Sequence, residues 1–343
     1  MHHHRDLEKL GDYLLSRYQK VINDAQTESK AFCGEIPFRW ETDFDFSSFG
    51  GWKNNQEGKT HERNLVVVIP GINRREAVIM VDHYDTAYME DVYNKSSGGT
   101  GARIAASGAD DNCSATVTLL QAAPIFLKLA MEGRLERDVW LIQLTGEEFP
   151  SDCMGARHLA QALIEKKLRV RMLNGKILDL SDVLVAGICI MDMIGHNRDI
   201  EKYIFQISPG KNSSSLRLAS QAHVANNLWN ANTIKWNKRQ NRSSKGRGTR
   251  SGSDEIPSIA EFPQLFGEVR LPEGPRSTLF NTDGQIFSDR GIPVTLFMEN
   301  YDIKRSGYHD TKDNMQNIDL DYGAGLAAIV IETVARAATI RRI

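Results

Sequence analysis

The stretch Val139-Trp140-Leu141-Ile142-Gln143-Leu144-Thr145-Gly146-Glu147-Glu148 decides how the rest of the chain is read. Five of its first six residues are aromatic or aliphatic, with no helical period, which predicts a short strand buried on both faces. Gly146 ends the run, and two carboxylates stand side by side where it stops. Neighbouring side chains near a strand end point in opposite directions, so Glu147 and Glu148 are expected to do different jobs. One can hold a metal while the other faces a substrate. Adjacent glutamates are also common on solvated helices, so the reading rests on other segments that end the same way.

Several do. Residues 65–69 (LVVVI) and 77–81 (AVIMV) read as strands, and the second runs straight into Asp82-His83-Tyr84-Asp85-Thr86. A glycine-rich loop leads to Gly108-Ala109-Asp110-Asp111-Asn112, and the apolar residues of 117–129 then recur at helical spacing. Residues 155–166 predict a helix, 183–190 a strand delivering Met191-Asp192-Met193-Ile194-Gly195, and 216–229 a helix. Residues 293–298 predict a strand, with Gly307-Tyr308-His309-Asp310 soon after, and 319–341 a closing helix. Near the N-terminus, Leu7, Leu10, Leu14, Tyr18, Val21 and Ile22 mark an amphipathic helix over residues 5–24. Residues 38–46 (FRWETDFDF) alternate as a half-buried strand would.

Strands alternating with helices imply a layered α/β/α domain, whose sites gather beyond the carboxyl ends of the strands. His83, Asp110, Glu147, Glu148, Asp192 and His309 all fall at such ends. A single domain over 1–343 is expected. The charged, non-periodic segment 238–276 reads as a flap or insertion, and its stretch 238–252 carries six basic residues and no acid.

Composition excludes some functions. A formal charge of −2 argues against a nucleic-acid binder held by general electrostatics, and the basic stretch lacks interleaved aromatics. The longest apolar stretch, 183–190, is too short to span a bilayer, so no membrane is expected. His2, His3 and His4 follow Met1 without a secretory pattern, so the chain as written is expected in the cytoplasm, and outside it if trimmed. Of the four cysteines, Cys113 and Cys189 fall in apolar segments and are expected in the core.

Two imidazoles (His83, His309) and three carboxylates (Asp110, Glu148, Asp192) suit zinc, which takes nitrogen and oxygen ligands. Five side chains crowd one tetrahedral ion but fit two if one carboxylate bridges. Each ion then keeps an open position, as catalytic sites do. Glu147 is left over as a general base for water attacking a carbonyl. Asp85 is placed to hold His83 by its other ring nitrogen.

The ordered motifs H-x-D-T, G-A-D-D-N, G-E-E, M-D-x-x-G and Y-H-x-x-x-D resemble the di-zinc exopeptidase family of secreted bacterial leucyl aminopeptidases. That family also contains glutamate carboxypeptidase, glutaminyl cyclase and the transferrin-receptor ectodomain. The resemblance spans residues 66–338. It implies a three-layer α/β/α sandwich on a mixed, mostly parallel sheet. It also implies two zinc ions, one held by His83 and Asp192, the other by Glu148 and His309, with Asp110 bridging. By the same resemblance Glu147 is the general base, Asp85 the aspartate behind a ligand, and Tyr308 a hydrogen-bond donor to the developing oxyanion.

There are departures. Residues 149–154 separate the glutamates from Gly155-Ala156, where the family places a Gly-Ser sooner. Gly284 of Thr282-Asp283-Gly284-Gln285-Ile286-Phe287 stands where a histidine is frequent. The insert and the R-H-L-A helix are similar to those of glutaminyl cyclases, yet cyclases generally lack the second acid of G-A-D-D, and Asp111 is present. The expected activity is therefore zinc-dependent removal of N-terminal residues from peptides by water activated at two zinc ions. The alternatives are a glutaminyl cyclase-like acyl transfer and a carboxypeptidase, the latter needing an arginine clamp from Arg276, Arg290 or the basic stretch. A non-catalytic ectodomain would have lost ligands or base, and this chain keeps them.

Overall fold

A computed structural model describes residues 2–25, 30–41, 59–149, 151–198, 200–245, 261–301 and 304–339. Ten strands form one sheet in the order β6-β5-β1-β2-β4-β3-β7-β10-β8-β9. Its centre is β4 (Arg137–Leu144), β3 (Asn73–His83), β7 (Leu184–Met191) and β10 (Val294–Glu299), all parallel. On one flank β2 (Lys59–Ile69), β1 (Phe32–Glu41), β5 (Arg169–Met172) and β6 (Ile177–Asp179) run antiparallel to their neighbours. On the other, β8 (Ile204–Pro209) is antiparallel to β10, and β9 (Phe266–Val269) lies parallel to β8 at the edge. The sheet is mixed, as expected, with its parallel part at the centre.

The central strands are covered on both sides. Every residue of β4 is buried, as a strand with two packed faces requires. Val139 and Leu141 point into a core formed with α1 (His2–Asp24), α3 (Ala115–Met131), α5 (Ser213–Lys245) and α7 (Leu320–Thr339). Trp140, Ile142 and Leu144 point the other way, against α4 (Met154–Ile164) and α6 (Gly284–Asp289). The period of two along the strand thus divides one apolar run between two cores. The segment Ala109–Met131 has the length and apolar composition of a membrane span. In this fold Leu119, Ala122, Phe126 and Leu127 bury that apolar face against the sheet.

Some expectations are corrected. The helix predicted over 216–229 is α5, which continues to Lys245, so the first residues of the segment read as a flap or insertion, 238–245, are helical rather than non-periodic. The returning chain supplies the reason. Asn226 and Asn230 donate to the Leu265 carbonyl, Trp229 donates to Pro263, and Trp229, Trp236 and Phe262 pack edge to face. These contacts hold a polar helix that its own sequence does not mark, because tertiary packing outweighs propensity. Residues 266–269, also assigned to the flap, add strand β9 to the sheet. The rest of the basic stretch, 246–252, and positions 42–46 of the half-buried strand lie outside the described residues. Cys189 is buried, but Cys113 is exposed, since it sits on the turn before α3 rather than on its inner face.

Candidate metal centre and active site

The parallel strands β3, β4, β7 and β10 all end on one side, and the side chains singled out above are delivered there. His83 is the last residue of β3, Glu147 and Glu148 follow β4, Asp192 follows β7, and His309 comes from the loop after β10. The fifth contribution is a tight turn, Ala109–Ser114, entered through Gly108 at φ 64°. A side chain at Gly108 would approach Thr86 Oγ1 to 2.8 Å, so both conformation and space call for glycine. Within the turn Asp111 and Asn112 leave helical geometry, and the bond between them is cis.

That turn overturns one assignment. Asp110, expected to bridge two ions, faces away: its carboxylate accepts from Gly195 N at 2.7 Å and Arg305 Nη2 at 2.6 Å. Asp111 takes the central place. One of its oxygens lies 3.3 Å from His83 Nε2, the other 3.2 Å from His309 Nε2. Asp192 lies 3.5 Å from the first imidazole nitrogen and Glu148 lies 3.4 Å from the second. Two triads result, His83–Asp111–Asp192 and Asp111–Glu148–His309, each with ligand atoms within 4.8 Å of one another. Adjacent residues on a non-helical turn diverge, so only one of two neighbouring aspartates can face the centre.

The donor set fits metal. His83 Nε2, Glu148 Oε1 and Asp192 Oδ1 are buried with no hydrogen-bond partner, an arrangement that costs free energy unless something else engages them. A cation in each triad, the two sharing Asp111, would engage the three residues. Electrostatics agree. Burial pushes Glu148 up to about 7, aided by the neighbouring Asp111 carboxylate. Burial also raises Glu147 and Asp192. Burial pushes Asp111 the same way, but the His309 and His83 imidazoles outweigh it and hold that carboxylate below its ordinary range. Zinc binding should therefore release protons and stabilise the fold. Zinc at about 100 times its dissociation constant adds about 2.7 kcal/mol per site, so a melting scan should show a clear rise over the chelator-treated protein. An unchanged melting temperature would argue against a metal centre.

Outer contacts fix the ligands. Asp85 accepts from the backbone N–H of Glu147 and Glu148 at 3.2 and 3.1 Å, and its Oδ1 stands 3.7 Å from His83 Nδ1. Its carboxylate thus orients the glutamate pair, and its backbone carbonyl meets His83 Nδ1 at 3.3 Å. Asp313 accepts from Asp110 N and Asp111 N, and Asn112 bonds Met191 O and Met193 N, joining the turn to the end of β7. Glu90 stands 3.6 Å from His309 Nδ1. Three of these four stand in motifs quoted above, Asp85 in H-x-D-T, Asn112 in G-A-D-D-N and Asp313 at the end of Y-H-x-x-x-D, while Glu90 stands in none. An acid such as Asp313, far along the chain, becomes a neighbour only through the fold.

Glu147 Oε2 lies 4.0 Å from His83 Nε2 and faces a cavity of about 320 Å³. Tyr308 also lines it, stacked on His309 at 3.9 Å and edge to face with Tyr301. Phe149, Asp152 and Cys153 form part of the wall, so the inserted loop after the glutamates does face the cavity. Gly284 contributes no side chain there. A Cβ would come within 2.4 Å of Leu279 Cδ1, so Leu279 fills the space beside it. None of the described lining residues is a lysine or arginine. Arg276 pairs with Glu268, and Arg290 lines a different depression.

A profile of peptidase family M28 matches residues 64–334. No curated protein sequence is significantly similar to the chain. Among solved structures, the Legionella pneumophila LapA aminopeptidase is 13% identical with a TM-score of 0.58, covering 97% of this chain and 63% of LapA. The Macrostomum lignano glutaminyl cyclase is 18% identical with a TM-score of 0.57, covering 97% and 83%. A leucine aminopeptidase precursor from Bacteroides thetaiotaomicron is 14% identical with a TM-score of 0.54, covering 97% and 88%. The chain spans slightly less than two thirds of the LapA and LapB chains it matches, and these likenesses establish the shared fold. With the profile covering most of its length and the two triads at the strand ends, the chain belongs to peptidase family M28.

Proposed function

We propose that this protein is a two-zinc aminopeptidase that hydrolyses the bond after a free N-terminal residue. The observation that carries the reading is Asp111, whose two oxygens each face a different imidazole-containing triad beside the uncommitted carboxylate of Glu147. His83 and Asp192 would hold one ion and Glu148 and His309 the other, with Asp111 shared. Bound zinc would polarise the substrate carbonyl and make water acidic enough to attack near neutral pH.

The remaining work falls to side chains. Glu147 accepts the proton of the attacking water at its cavity-facing carboxylate and returns it to the leaving amine. Burial raises its proton affinity, which suits a group that must both take and give. Tyr308, held against Tyr301 and His309, offers its hydroxyl to the developing oxyanion. The cavity presents the Glu147 carboxylate and no lysine or arginine among its described lining, which suits a substrate ammonium better than a carboxylate. A carboxypeptidase would need a cation to clamp the substrate carboxylate, and the described lining has none.

The test is mass spectrometry of a defined peptide mixture incubated with zinc-loaded protein. It includes free and blocked ends, one peptide with N-terminal glutamine, and Glu147→Ala protein as control. A ladder shortened only from free N-termini is expected. Shortening from the C-terminus would overturn the direction assigned here. Loss of ammonia from the glutamine peptide without cleavage would make the protein a cyclase.

A further inference from the structure

Behind the second triad lies a buried ion cluster with no direct part in the chemistry above. The Arg305 side chain is 5% exposed and sits between two fully buried carboxylates, 2.6 Å from Asp110 and 2.7 Å from Glu299. Its Nη1 donates to the Gly307 carbonyl at 2.6 Å, two residues before His309. One planar guanidinium therefore reaches in three directions, to the Asp111 turn, to the end of β10 and to the loop carrying Tyr308 and His309. A lysine has a single ammonium and cannot make that fork.

The loop needs such a hold. Gly307 has φ 85°, and a Cβ there would come within 1.8 Å of Asn317 Nδ2. His309 itself is at φ 50°, a left-handed conformation that a non-glycine residue keeps only when its surroundings impose it. A buried ion cluster is weak evidence for stability, because desolvation offsets most of its attraction. Its location, between the bridging turn and a ligand-bearing loop, is evidence for position.

We infer that Arg305 is a positioning residue for the second ion, clamping the Gly307–His309 loop so that His309 meets Asp111 and Glu148. The inference rests on the two-ion reading given above. It bears chiefly on the second triad, since toward the first Arg305 makes a weaker contact, Nη2 to Met193 Sδ at 3.4 Å beside Asp192. His83 and Asp192 sit at the ends of β3 and β7, and Asp313, Asn112 and Gly195 hold the Asp111 turn without Arg305.

The test is a zinc titration of the chelator-stripped full chain, with calorimetry and metal analysis on wild type, Arg305→Lys and Arg305→Gln. Wild type should bind two ions. Arg305→Lys should bind the first with unchanged affinity and the second at least tenfold more weakly. Arg305→Gln keeps a planar donor without charge and serves if the lysine variant fails to fold. Two ions bound as tightly as in wild type would overturn the positioning role and leave the two-ion reading intact. Equal weakening of both ions would also overturn it, by making Arg305 a general support of the fold. A single ion in wild type itself would remove the two-ion reading and the inference together.

Discussion

Asp111→Ala is expected to lose both metal ions and with them all measurable turnover. Its two oxygens are the only feature common to the two triads, so one substitution takes a ligand from each. The imidazoles would also lose the carboxylate that each faces at little over 3 Å. Metal analysis after gel filtration should fall from two ions per chain toward none, with circular dichroism confirming that the sheet is intact. Asp110→Asn should behave differently, keeping the ion held by His83, Asp111 and Asp192, because Asp110 points to Gly195 and Arg305. If Asp110→Asn lost both ions and Asp111→Ala kept them, the assignment of the bridge would be reversed.

Glu147→Gln should produce the opposite dissociation, full metal content with turnover reduced by about 10²- to 10⁴-fold, the usual contribution of a positioned acid–base group. The amide keeps the shape and cannot take a proton. Glu147 belongs to neither triad, so nothing in the ligand set changes. The effect should appear in kcat rather than KM, since the lost interaction forms as the proton moves. Near-native turnover would remove Glu147 from the base role, and loss of metal would make it a ligand.

The sequence by itself determined the layered fold and the places where chemistry would gather. Runs such as 139–144 and 77–81 are apolar on both faces, so they could only be central strands, and polar residues at their ends had to lie at the sheet's edge. His83, Glu147, Glu148 and Asp192 were legible for that reason, and His309 from the Y-H-x-x-x-D motif that follows the last strand. Only the tertiary structure decided which aspartate joins them. Asp110 and Asp111 are identical in type and adjacent, and their roles are separated by backbone angles in a turn whose partners, Asp313 and Arg305, come from 203 and 195 residues beyond Asp110. The same holds for α5 beyond Trp229, where a polar helix persists because residues 262–265 pack along it. Local pattern fixes what a segment can bury, and long-range packing fixes which of two equivalent side chains faces the site.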